Sequence, residues 1–163
     1  MATVQSIKSS SASDAMEREI TLQRTIAAPV ELVWRAWTQA DEVAQWWGPH
    51  HFDNPVCEWD ARPDGKILVH MRGPDGTVYP MTGTFREVVP PRRLVFLAVA
   101  EDMDGNPQLK SLTTVTFEPA DGATKVTVHA KAQGFVPIAA QMLGGMQEGW
   151  SQSLDKLTSH VSG

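Results

Sequence analysis

The chain has 163 residues, 42% of them hydrophobic, with one cysteine and a formal net charge of -5. That length and apolar fraction suffice for one sizeable core and leave two separate domains marginal. The acidic balance excludes a phosphate-backbone partner, which needs a surplus of Lys and Arg on one face, and the lone Cys57 excludes an intramolecular disulfide.

Residues 1–15, with the run Ser9-Ser10-Ser11-Ala12-Ser13 and no apolar h-region of a secretory signal, read as a disordered tail ahead of one domain over 16–163. Ile20, Leu22 and Ile26 then alternate with Thr21, Gln23 and Thr25, the period-2 pattern of a half-buried strand, which puts Arg24 on the inward face. After Ala28-Pro29 the rhythm changes: Val30, Val33, Trp34 and Trp37 recur at helical spacing. A second short helix, capped from Thr38 to Asp41, carries Val43, Trp46 and Trp47 and stops at Gly48-Pro49.

Turn chemistry follows at Pro63-Asp64-Gly65, Pro74-Asp75-Gly76, Pro90-Pro91, Asp104-Gly105-Asn106 and Pro119 to Gly122. Five turns separate six strands, notably Lys66 to Arg72, Tyr79 to Val89, Leu94 to Val99, Leu112 to Glu118 and Thr124 to Ala130. Short turns join strands antiparallel, so a meander is expected and a parallel sheet with helical crossovers is excluded. From about Pro137 to Val161, Ala139, Leu143, Met146, Trp150, Leu154, Leu157 and Val161 share one helical stripe. Such a helix is about 36 Å long, longer than a strand of about 17–20 Å, so a twisted sheet can curl around it. No stretch approaches the roughly 20 apolar residues of a membrane-spanning helix. With nothing calling for an oxidising compartment, a cytoplasmic protein is the expectation.

In this order the segments Ala28-Pro29, Val33-Trp34-Arg35-Ala36-Trp37-Thr38, Trp46-Trp47-Gly48-Pro49, Met71-Arg72-Gly73-Pro74-Asp75-Gly76, Val89-Pro90-Pro91-Arg92-Arg93-Leu94 and Glu148-Gly149-Trp150 resemble the SRPBCC or START-like helix-grip superfamily. Within it they are similar to the branch of homologues of the activator of heat shock protein 90 ATPase. The resemblance covers roughly Glu19 to His160 and implies an α+β helix-grip fold: one strand, two short helices, six more antiparallel strands and a long C-terminal helix. It implies no single activity, because lipid carriers, hormone receptors and aromatic cyclases share this scaffold. The eukaryotic co-chaperone of that branch has a further N-terminal domain that makes much of the chaperone contact. Only the short serine-rich tail stands there in this chain, so a chaperone partner is not expected.

The residues themselves point to a ligand site between sheet and helix. Gly144, Gly145 and Gly149 each forgo about 1 kcal/mol of helix propensity, which close packing, a kink or room for a ligand could explain. Met71, Met81, Met103, Met142 and Met146 offer adaptable walls. Trp150 is the candidate floor, Phe52, Phe85 and Phe96 are candidate walls, and Trp47 is placed at the mouth. Arg24, Tyr79 and His129 are candidates to orient a ligand, although Arg24 is more simply paired with an acidic side chain. No metal is expected, since His50, His51, Cys57, His70 and His129 lack ligand spacing. No cofactor is expected either, because no glycine-rich phosphate loop follows a strand. The expected function is the binding of an apolar small molecule or lipid. A polyketide cyclase-like enzyme and a chaperone-interacting protein stand as alternatives, and a homodimer is left open.

Overall fold

The chain is described here as a computed structural model covering residues 16–162; the tail expected over residues 1–15 lies outside the described residues. The alternating segments form β1 (Glu17–Ile26), β2 (Asp53–Trp59), β3 (Lys66–Arg72), β4 (Val78–Val89), β5 (Arg93–Glu101), β6 (Pro107–Ala120) and β7 (Ala123–Gly134). The helically spaced segments form α1 (Val30–Thr38), α2 (Ala40–Trp46) and α3 (Ala139–Ser162). The seven strands make one antiparallel sheet in the order β1-β7-β6-β5-β4-β3-β2, a meander closed at one edge by the first strand. The sheet curves around α3 in the helix-grip arrangement. No helix among the described residues is long and apolar enough to cross a membrane.

Helix ends show how the tryptophans are used. A helix leaves its last carbonyls without partners, and in α1 those from Trp34 to Trp37 are each bonded. Gln39 N donates to Arg35 O at 3.0 Å, Thr38 Oγ1 to Trp34 O at 2.9 Å, Trp46 Nε1 to Ala36 O at 3.0 Å and Trp59 Nε1 to Trp37 O at 2.7 Å. Two indoles from later elements thus terminate α1. The expected side-chain cap of α2 is absent: its N-cap is Gln39, without a side-chain bond, because the Thr38 hydroxyl has turned back onto α1. Nor does α2 include Trp47, which is its extended C-cap at φ -65 and ψ 135.

Between sheet and helix the packing is solid at one end and opens into a cleft at the other, and the strand register shows why. At the solid end Phe85 pairs with Phe96 across β4 and β5, and Trp37, Trp46, Trp59, Phe117, Leu154 and Leu157 fill the space between sheet and helices. Edge-to-face contacts such as Trp37 on Trp46 at 4.6 Å and Trp59 on Phe85 at 5.4 Å lock the cluster. Two residues further along each strand the side chains shrink. Gly83, Ala98, Ser111 and Ala132 lie side by side across β4, β5, β6 and β7. Opposite this row α3 presents Gly145, Gly149 and Ser153, spaced four apart and so aligned on one face. Small residues on both walls leave space that no side chain fills.

Candidate ligand site

The space is a hollow of two adjoining lobes, of about 230 and 340 Å³, that share Trp47, Pro49, Met71, Met81, Leu109 and Met142. The first lobe is floored by Ala98, Ser111, Thr113 and Ala132 and roofed by Met146, Gly149, Trp150 and Ser153. The second is bounded by Phe52, Tyr79, Ala100 and Gly145. Trp150 stacks on Trp37 at 6.1 Å and meets Trp47 edge-on at 5.3 Å, so the solid aromatic cluster forms the inner end. A Cβ built on Gly144 or Gly145 meets nothing within 4 Å, and one on Gly149 meets only Pro49 Cγ at 3.9 Å. The glycines therefore serve neither close packing nor a steric requirement. Two of them, Gly145 and Gly149, simply leave the helix thin over the hollow.

The segment from Trp47 to Phe52 forms a side wall, contributing Trp47, Gly48, Pro49 and Phe52 to the lining, and a lysine holds it. Lys156 Nζ, reaching from α3, donates to the carbonyls of Gly48 and Pro49 at 3.2 Å and of Trp47 and Phe52 at 3.4 Å. Burial pushes the Lys156 pKa below its ordinary value, while the Asp53 carboxylate opposes that shift. Gln152 Oε1 accepts from His50 N at 3.0 Å, and Asn54 Nδ2 donates to Ala44 O and Trp47 O at 3.1 and 2.9 Å. Gly48 turns the chain at φ +92, where a Cβ would strike the Met71 sulfur at 2.7 Å. Left-handed backbone and contact with Met71 together require glycine there.

Of the residues singled out in the sequence, Trp47, Phe52, Met71, Tyr79, Met81, Phe96, Met142, Met146 and Trp150 border the hollow. Arg24, Phe85 and His129 do not, nor does Met103, which lies exposed in the turn between β5 and β6. Arg24 lies among the inward positions of β1, but its guanidinium donates to Ser151 Oγ at 2.7 Å and lies 3.5 Å from Asp155 on α3. The unfavourable burial of a cation is thus relieved within the protein. Phe85 is completely buried beneath Trp59 and Phe96 in the solid end. His129, opposite Thr21 and Thr114, sits on the outer face, where Nε2 is bonded to Glu19; this partner holds the Glu19 carboxyl below its usual range. His70 likewise alternates away from the inward Val69 and Met71.

Sequence reasoning missed Ser111, Thr113, Ser153, Leu109 and the alanines. Their signal was parity: in β6, residues 109, 111, 113, 115 and 117 share the inner face. The strand was expected to start at Leu112, an outward residue. A polar pair on the inner face disguised the alternation. Thr113 and Ser153 are nearly fully buried, and no charged side chain borders either lobe. Among the described residues no cluster of His, Cys, Asp or Glu could hold a metal ion. Burial pushes the Cys57 thiol up to about 11, which removes its thiolate, the nucleophilic form, at neutral pH.

Comparison with known proteins agrees with this architecture. The family model described as Activator of Hsp90 ATPase homolog 1-like protein matches residues 27–162. Among solved structures, a protein from Mycobacterium smegmatis is 28% identical with a TM-score of 0.72, over 90% of this chain and 91% of that one. A protein from Nitrosomonas europaea is 26% identical with a TM-score of 0.70, over 88% and 94%. One from Rhizobium leguminosarum, at 24% identity, superposes with a TM-score of 0.79 over 90% and 95%, a likeness of fold alone. No curated protein matches the chain.

Proposed function

Since this chain belongs to the family of Activator of Hsp90 ATPase homolog 1-like proteins, we propose that it uses the helix-grip scaffold to bind an apolar small molecule between the sheet and α3. The observation that carries this reading is the matched row of small residues on sheet and helix, facing each other across a hollow lined with Trp and Met. A chain selected for stability alone would fill that row, because unfilled core volume and helical glycine both cost free energy. Binding is driven by removing apolar ligand surface from water, at roughly 25 cal/mol per Å², against walls whose thioethers adapt in shape.

A cyclase-like enzyme needs a proton donor and acceptor facing its substrate. Tyr79, itself 40% exposed, is the one titratable side chain bordering the hollow among the described residues, so the lining favours holding a molecule over transforming it. A chaperone-contacting protein would be recognised by a contiguous apolar patch on its surface.

The test is titration with a panel of neutral aromatic and aliphatic compounds, read by tryptophan fluorescence and thermal unfolding. Trp47 and Trp150 border the hollow, so occupancy changes their emission. At a hundredfold excess over Kd, stabilisation of about 2.7 kcal/mol follows from mass action. A panel that neither alters emission nor raises Tm overturns the proposal.

A further inference from the structure

The lining also constrains the chemistry of the ligand. Resting on the reading above, we propose that the hollow selects uncharged aromatic molecules of about two rings that carry one hydroxyl or carbonyl, bound by the hydroxyl group formed by Ser111, Thr113 and Ser153.

Size sets the first constraint. An apolar cavity of about 150 Å³ takes benzene, so a lobe of about 230 Å³ fits a second fused ring. A longer substituent continues past the shared Met71, Met81 and Met142 into the outer lobe.

Charge sets the second. A carboxylate moved into an apolar site needs a cation or several donors, or it stays outside. The cations on the inner face of β1 and on α3 are already engaged. Arg18, in register with Ala132 and hence with the row of small residues, donates to Leu143 O at 2.7 Å, Gly144 O at 3.1 Å and Gln147 Oε1 at 3.3 Å. Arg24 is held by Ser151 and Asp155, and Lys156 by four carbonyls. Recruiting Arg18 or Lys156 would strip helix or wall carbonyls of their donors, and recruiting Arg24 would leave the Asp155 carboxylate without its cation, so an anionic ligand gains no partner without breaking bonds already made.

The hydroxyls set the third. Ser111 and Thr113 are successive inward residues of β6; Ser111 is flanked in register by Ala98 and Ala132, and Thr113 by Phe96 and Ala130. Ser153 borders the same lobe from α3. Elsewhere Thr38 and Thr158 turn their hydroxyls onto carbonyls one turn earlier. Ser111, Thr113 and Ser153 make no such side-chain bond among the described residues, so these rotors can serve a ligand as donor or acceptor. A site built around such groups rejects an analogue that leaves them unpaired.

The experiment compares naphthalene, 2-naphthol and 2-naphthoate at pH 7, where naphthol is neutral and naphthoate is ionised, by tryptophan quenching on the full chain. We expect naphthol to bind about tenfold more tightly than naphthoate and several-fold more tightly than naphthalene. In the Ser111→Ala/Thr113→Val/Ser153→Ala variant the advantage of naphthol over naphthalene disappears, while naphthalene binds within about twofold of the parent. Retained naphthalene binding also certifies that the variant folds; should it not fold, Ser153→Ala alone must reduce naphthol binding relative to naphthalene. Naphthoate binding as tightly as naphthol overturns the selectivity while leaving the apolar site standing. A naphthol advantage that survives in the variants overturns the hydroxyl assignment. If none of the three compounds binds, the ligand-binding reading fails and this inference with it.

Discussion

Replacing glycines along α3 separates stability from binding. Each glycine in a helix interior costs about 0.8–1.0 kcal/mol relative to alanine, so Gly144, Gly145 and Gly149 together forgo about 3 kcal/mol. Against a typical domain stability of about 5–15 kcal/mol that loss is large enough to need a reason. At each position an added Cβ meets open space or ordinary van der Waals contact, so Gly144→Ala and Gly149→Ala should each stabilise by about 1 kcal/mol. In a chain of this size that raises Tm by about 2–4 °C. Binding distinguishes them. Gly144 is exposed and borders neither lobe, whereas Gly149 roofs the inner one. Gly144→Ala therefore leaves the affinity for a neutral aromatic probe unchanged, while Gly149→Leu, whose side chain projects into the lobe, abolishes it with stability kept or increased. Thermal and urea unfolding give the first quantity and fluorescence titration the second. A Gly149→Ala variant that melts below the parent, or a Gly149→Leu variant that still binds the probe, refutes the reasoning.

Three more outcomes follow from bonds described above. Lys156→Met takes the donor from four carbonyls and should cost about 1–3 kcal/mol, with faster amide hydrogen exchange confined first to residues 47–52. Trp46→Phe leaves the Ala36 carbonyl without its indole donor, whereas the Trp37 indole N–H has no partner. In chemical denaturation the Trp46 variant should therefore lose about 1–3 kcal/mol more than Trp37→Phe through the orphaned carbonyl. Cys57 has a folded pKa raised from 9.0 to about 11. Its contribution to stability is complete below pH 9 and declines as pH rises toward 11, because the unfolded chain releases the proton first. Alkylation by iodoacetamide at pH 8 should accordingly be much slower in the folded chain than in urea, and Cys57→Ala should flatten that part of the pH profile.

The period of the sequence made the elements legible, and the chemistry of small residues hid the site. Val30, Val33 and Trp37 announce α1, and Leu143, Leu154 and Leu157 announce α3, because a core-facing stripe repeats at the helical period. The strands β6 and β7 run further than expected, to Pro107 and Gly134, because their extensions carry Ser111 and Ala132 where an apolar strand would show Val or Leu. Those same positions floor the hollow. Gly149 did point to it, but its meaning depends on Ala98, Ser111 and Ala132, which are distant in sequence and meet only through strand register. Arg24 illustrates the opposite failure: strand parity puts a cation inside, yet only the position of α3 reveals that Ser151 and Asp155 receive it. Adjacent tryptophans at 46 and 47 diverge because the helix ends between them, sending one into the solid core and the other to the hollow.

The closure of the sheet by β1 against β7 has a consequence for how the protein is made. Ile26 pairs with Thr124, about a hundred residues later, which at roughly 5–20 residues per second of translation is about 5–20 s of synthesis. Throughout that interval the first strand holds Ile20, Leu22 and Ile26 without their neighbour, and α3, still later in the chain, has yet to cover the concave face. The growing chain therefore holds its first strand without a neighbour, and its concave face bare, until β7 and then α3 emerge to cover them.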